Sequence, residues 1–111
     1  MATVANIFID QGADYSNIIT VGSSTGAPLN LAGYTVASQI RKSYSSSTAY
    51  NFSSSIFNAS EGKVRLQLTA TASRAIPPGR YLYDVEITSP TSSKTRVVEG
   101  IVTVTPEITQ I

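Results

Sequence analysis

The stretch from Lys63 to Thr105 alternates apolar and polar residues more cleanly than any other part of the chain, and it restricts the fold to strands. Val64, Leu66 and Leu68 interleave with Lys63, Arg65 and Gln67, and Tyr81, Tyr83, Val85 and Ile87 interleave with Arg80, Asp84, Glu86 and Thr88. A period of two places one set on a buried face and the other in water. A third apolar run, Val97–Val104, follows the short connection Ser89-Pro90-Thr91-Ser92-Ser93, which predicts an antiparallel hairpin with Tyr81–Thr88. Symmetric closure sets Thr88 opposite Lys94, Glu86 opposite Arg96 and Asp84 opposite Val98. A bulge at Gly100 then reconciles the apolar phase of Val98 and Val102 with an exposed Arg96. The Glu86–Arg96 pair contributes only ~0.2–1 kcal/mol, so apolar burial must set the register.

Shorter signals precede this stretch. Thr3–Asp10 predicts a first strand with Ala5, Ile7 and Ile9 on one face and Phe8 on the other. Apolar residues on both faces suit a strand that is covered on both sides or lies at an interface. After a turn at Gln11–Asp14, Tyr15–Val21 predicts a second strand, and Gly22–Pro28 a loop in which Gly26 suits a left-handed turn position. Tyr34–Arg41 predicts a third strand with Tyr34, Val36 and Ile40 on one face. The serine-rich Lys42–Ser55 is the least ordered part by composition and predicts a flexible loop leading to a short strand near Ala49–Ser53, and Ile56 and Phe57 predict another that touches the core. Thr69–Ala75 breaks the alternation and predicts one or two helical turns, with Thr69 as N-cap and Pro77-Pro78 as the stop.

About seven strands separated by turn signals predict an all-β chain, an immunoglobulin-like antiparallel β-sandwich with a short helical turn near 69–75. A small barrel is the alternative. Residues 1–111 are the size of a single domain able to bury its own core, and 106–111, with Ile108 and Ile111, form either a free end or an extended docking tail.

Composition narrows the chemistry. The chain has no His, no Cys and no Trp. Zinc sites of the usual ligands, Ser-His-Asp or Cys-His catalysis, and thiol redox chemistry are thereby excluded. Eight basic residues against seven acidic ones, scattered along the chain, give no stripe suited to nucleic acid. No apolar run approaches the roughly 18 residues of a membrane span, and the N-terminal residues lack the pattern of a secretion signal, so synthesis in a cytosol is expected. Charged residues make up only 14% of the chain, low for the surface of a soluble monomer, which suggests that much of the surface lies against other subunits.

Several constellations invite a functional reading. Asp84 and Glu86 share a strand face, as a carboxylate pair or calcium site requires, but the acid–base partners of such a site are missing and a solvated face is the better reading. Asp10 and Asp14 flank a glycine turn without completing a ligand set. Arg41-Lys42 with Tyr44 suits stacking and charge contacts, yet one dibasic step reads better as a solvated strand end. No phosphate-cradling glycine motif occurs. Tyr34, Tyr81 and Tyr83 fall on the apolar phase and predict core residues. Tyr44 and Tyr50, in the serine-rich stretch, suit a recognition surface that a core does not account for. With Phe8, Ile108 and Ile111, Tyr44 and Tyr50 make the candidate contact surface. No catalytic, cofactor or metal-binding residue is assigned.

The order of motifs resembles a known family. Leu29-Asn30-Leu31-Ala32-Gly33-Tyr34-Thr35-Val36, Gln39-Ile40-Arg41, Gly62–Thr69, Pro78–Ile87 and Glu99–Val104 together are similar to small virion proteins of tailed bacteriophages, in particular the immunoglobulin-like N-terminal domain of siphophage upper-baseplate proteins that hold receptor-binding proteins. The resemblance covers most of the chain through framework motifs. It implies a non-enzymatic structural component of a virion, in the tail, baseplate or neck, whose partners are other virion proteins and symmetry-related copies of itself, with no cofactor, nucleic acid or membrane. The alternatives are a capsid decoration protein and a host-surface or carbohydrate-binding module that uses a glycan as ligand.

Overall fold

The alternating segments fold as strands, and their two faces separate into core and surface as the pattern predicts. The structure, a computed structural model, describes residues 3–22, 27–43 and 45–106. The strands are β1 (Thr3–Val4), β2 (Ile7–Asp10), β3 (Tyr15–Thr20), β4 (Thr35–Arg41), β5 (Ala49–Asn51), β6 (Ser53–Asn58), β7 (Lys63–Leu68), β8 (Gly79–Thr88) and β9 (Lys94–Thr105). A 3-10 turn, Ala59–Glu61, precedes β7, and α1 (Ala70–Arg74) lies between β7 and β8. A small sheet runs β3-β7-β6, and a large sheet runs β1-β9-β8-β4-β5 with β2 also on β9. The strands β3, β7 and β6 stand where B, E and D stand in an immunoglobulin-like sandwich, and β4, β8 and β9 where C, F and G stand. Between the sheets lie Val64, Leu66 and Leu68 of β7, Tyr81, Tyr83, Val85 and Ile87 of β8, and Val98, Val102 and Val104 of β9, all buried.

The sheet is not wholly antiparallel. β1 and β2 both run parallel to β9, with Thr3 opposite Val98 and Ile7 opposite Val102. The predicted single strand Thr3–Asp10 is divided at Ala5-Asn6, where the chain presses against Gly100. A Cβ on Gly100 would sit 2.2 Å from the Ala5 carbonyl oxygen, so the approach needs a residue without a side chain. Three hydrogen bonds fix the crossing: Ala5 N–H to Glu99 O at 2.9 Å, Ile101 N–H to Asn6 Oδ1 at 3.1 Å, and Tyr83 O–H to Ala5 O at 2.5 Å.

The hairpin register is as expected from Thr88–Lys94 to Glu86–Arg96, and then departs. The register shift falls between Val85 and Glu86, leaving Val97 as the extra residue, so Val85 faces Val98 and Asp84 faces Glu99. Thus Val97 carries the bulge and Gly100 does not. One additional residue at that point turns Val98, Val102 and Val104 inward while Arg96 stays outside.

The serine-rich segment is more ordered by packing than its composition suggests. In place of one short strand near Ala49–Ser53, β5 pairs with β4 and β6 pairs with β7. The chain changes sheets at Phe52, a buried residue whose ring lies 6.1 Å from that of Tyr83 at 76° and 5.9 Å from that of Tyr15. Ile56 and Phe57 belong to the same β6 strand. The helical turn forms where the sequence places it, with Thr69 Oγ1 accepting from Ala72 N–H at 3.1 Å. Buried Ser73 ties α1 to the β2–β3 turn, donating to Ala13 O at 2.8 Å and accepting from Gly12 N–H at 3.0 Å. At the start of β8 the Tyr81 hydroxyl donates to Pro77 O at 2.5 Å, the tyrosine corner of this architecture.

Two outcomes follow from these contacts. Gly100→Ala overpacks the Ala5 crossing and is expected to lower stability by ~1–3 kcal/mol in denaturant unfolding. A cost near zero would show that the crossing tolerates a side chain. Burial, and next the neighbouring Tyr15, push the Tyr83 hydroxyl up to about 12 from 10.0. The unfolded chain releases this proton first, so the stabilisation is complete below pH 10 and is lost as pH rises toward 12, by at most ~2–3 kcal/mol. Tyr83→Phe is expected to flatten that alkaline decline, and an unchanged slope would assign it to other groups.

Candidate functional site

The outward side chains of the large sheet form one continuous face whose rows are set by register. Gln39, Asp84, Glu99 and Val4 lie side by side across four strands. Arg41, Leu82 and Ile101 make the next row, and Arg80, Thr103 and Phe8 the one beyond. Three apolar residues on this side of the molecule stand open to solvent: Phe8 at 72%, Val4 at 71% and Ile101 at 38% exposure. A shallow groove of about 460 Å³ runs between Val4, Ile101 and Leu82, with Arg41, Asp84 and Arg96 among its walls.

Charge on this face is paired locally. Arg96 Nε lies 3.1 Å from Asp84 Oδ2, and its Nη1 lies 4.0 Å from Glu99 Oε1. Arg41 donates to Ser46 O at 2.6 Å and to Gln39 Oε1 at 3.0 Å. The face thus combines exposed apolar side chains with opposite charges held in fixed positions on a sheet. Its chemistry suits a protein surface: apolar anchors exclude water, and the paired charges fix orientation.

The sequence candidates fall in different places. Phe8 sits on this face. Tyr50, on β5, is half-buried and packs edge-on against Tyr81, with ring centroids 6.2 Å apart at 87°, so the core contact that the sequence reading denied it exists. Tyr44, Ile108 and Ile111 lie outside the described residues, as does Gly26. Asp84 and Glu86 do share a face, but Asp84 is held by Arg96 rather than by a second acid, and no group of three or more metal-ligating side chains occurs among the described residues. Asp10 accepts from Thr105 Oγ1 at 2.8 Å, and Asp14 accepts from Ala70 N–H at 2.7 Å. Lys42 places its Nζ 4.8 Å from the centre of the Tyr81 ring, so it caps a core aromatic. The sequence reading missed Val4, Ile101, Arg96 and Glu99 as members of the face, because the parallel docking of β1 and β2 and the bulge at Val97 carry no short-range signal.

This geometry defines an immunoglobulin-like β-sandwich with an apolar, charge-paired outer sheet face. No family model matches the chain, and no curated protein matches it. Among solved structures it is similar to an internalin-like protein of Listeria monocytogenes, at 15% identity and a TM-score of 0.51, covering 94% of this chain and 28% of that one. A family 123 glycoside hydrolase from Clostridium perfringens matches at 11% identity and a TM-score of 0.44, covering 97% of this chain and 24% of that one. The chain spans about a quarter of the length of each, and the likeness to the internalin-like protein is one of fold alone.

Because the Arg96–Asp84 pair is substantially exposed, Arg96→Ala is expected to change stability by no more than ~1 kcal/mol, with less effect at high salt. A larger loss in thermal unfolding would mean that the pair holds the sheet together.

Proposed function

We propose that the chain is a non-enzymatic structural component of a tailed-phage virion, acting through protein–protein contacts made by the outer face of the large sheet. The observation that carries the reading is the exposed set Val4, Phe8 and Ile101 beside fixed opposite charges. The virion context rests on the resemblance of the framework segments, several of which have clear roles in this fold. Gly33 and Gly62 adopt positive φ at turns, Tyr81 makes the corner at Pro77, and Gly100 accepts the first strand. In this reading the sandwich is a rigid spacer that displays its faces to neighbouring virion proteins and to copies of itself. Low surface charge supports it, since close-packed subunits need less charge to stay dispersed.

Phe8→Asp places an unpaired charge in such an interface without disturbing the core. Its melting temperature is expected to stay close to that of the parent, while its incorporation into purified particles falls at least tenfold. Full incorporation of the folded variant would remove this face from assembly. Labelling of particles with the parent protein distinguishes tail, baseplate, neck and capsid surface, and absence from every particle would remove the virion reading itself.

A further inference from the structure

The small sheet ends at β3, and no described strand pairs with its outer edge. β3 differs from the other sheet edges. β5 has three residues, β1 and β2 are broken at Ala5-Asn6, and β6 carries a register shift between Ile56 and Asn58. β3 offers six continuous residues, Tyr15-Ser16-Asn17-Ile18-Ile19-Thr20, with no charge, no proline and no bulge. Such an edge lacks the devices by which sheets avoid pairing with other chains. Asn17 faces inward with Leu66, yet is exposed, so among the described residues nothing covers the inner side of this edge at that position. Ile18, on the outer face, is 42% exposed.

We propose that β3 pairs antiparallel with β3 of a second copy of this chain, about a two-fold axis normal to the sheet, joining two three-stranded sheets into one of six strands. Such an axis keeps each residue on its own face, so only registers that oppose residues of like phase are allowed. The register centred on Ile18 opposes Ile18 with Ile18, Ser16 with Thr20 and Asn17 with Ile19. It sets the exposed isoleucine against its own copy and one hydroxyl against another on the outer face, both favourable cross-strand pairs. No charge meets a like charge, because the strand has none. That self-complementarity is what an isologous contact requires, and it singles out a second copy over an unrelated partner. The inference is independent of what the outer face of the large sheet binds.

The test is sedimentation of the full chain from low micromolar to near-millimolar concentration. The parent is expected to form a dimer, Ile18→Lys to raise the dissociation constant at least tenfold, and Ser53→Lys, at the opposite edge of the small sheet, to leave it unchanged. Because the chain has no cysteine, Ile18→Cys supplies a single thiol and is expected to give a disulfide-linked dimer under mild oxidation, whereas Ser53→Cys is not. The cysteine variants also keep the test decisive if Ile18→Lys fails to fold. A parent that stays monomeric at every concentration, a dimer indifferent to Ile18→Lys, or β3 amides that gain exchange protection only when a different protein is added would each overturn the proposal.

Discussion

Burial of the odd-numbered side chains of β8 is the constraint on which the rest of the molecule depends. β8 lies between β4 and β9, with ten residues in contact with the latter. Its inward row of Tyr81, Tyr83, Val85 and Ile87 is buried. Removing four large side chains from water contributes ~6–12 kcal/mol before the cost of ordering the chain. The two tyrosines do more than fill space. A phenol buried in a core needs a partner for its hydroxyl, and each of these finds one on a different segment: Tyr81 on Pro77, Tyr83 on Ala5. The same strand therefore sets the corner after α1 and anchors the N-terminal segment.

That anchoring decides where the first strand goes. An edge strand of a sandwich has two sheets to choose from, and here Gly100, Asn6 and Tyr83 together hold β1 and β2 on β9. The interruption at Ala5-Asn6 turns the carbonyl of Ala5 toward Tyr83 and lets the side chain of Asn6 take the N–H of Ile101. With the first strand committed to the large sheet, Phe8 is turned to solvent on its outer side, while Ile7 and Ile9 close the core.

The sequence makes some of this legible. Strict alternation at Val64–Leu68 and Tyr81–Ile87 fixes strands and faces because water enforces it residue by residue, and Thr69 with Pro77-Pro78 marks the helical turn because capping and ring closure are local effects. Serine has weak strand preference, so the composition of Lys42–Ser55 points to a loop, yet Phe52 and the pairing partners β4 and β7 impose strands on its second half. The bulge position was missed for a similar reason. Either Val97 or Gly100 restores the phase of Val102, and glycine is the usual signature. The close approach of Ala5, visible only in three dimensions, claims Gly100 for another purpose. The apolar face is the least legible part of all, since Val4 and Ile101 are ninety-seven positions apart and meet through a parallel pairing that no short-range pattern announces.

A single allocation links the outer face of the large sheet and the β3 edge. Placing the first strand on β9 extends the large sheet and builds its outer apolar face, and among the described residues no strand lies on the outer side of β3. The two features thus have one origin in the placement of the first strand. They also point in different directions. The face looks outward from the large sheet, while the β3 edge lies along the margin of the small one. Low charge fits the same logic. Repulsion between surfaces disfavours association, and a chain with few charged residues, several of them already paired, carries little of that repulsion.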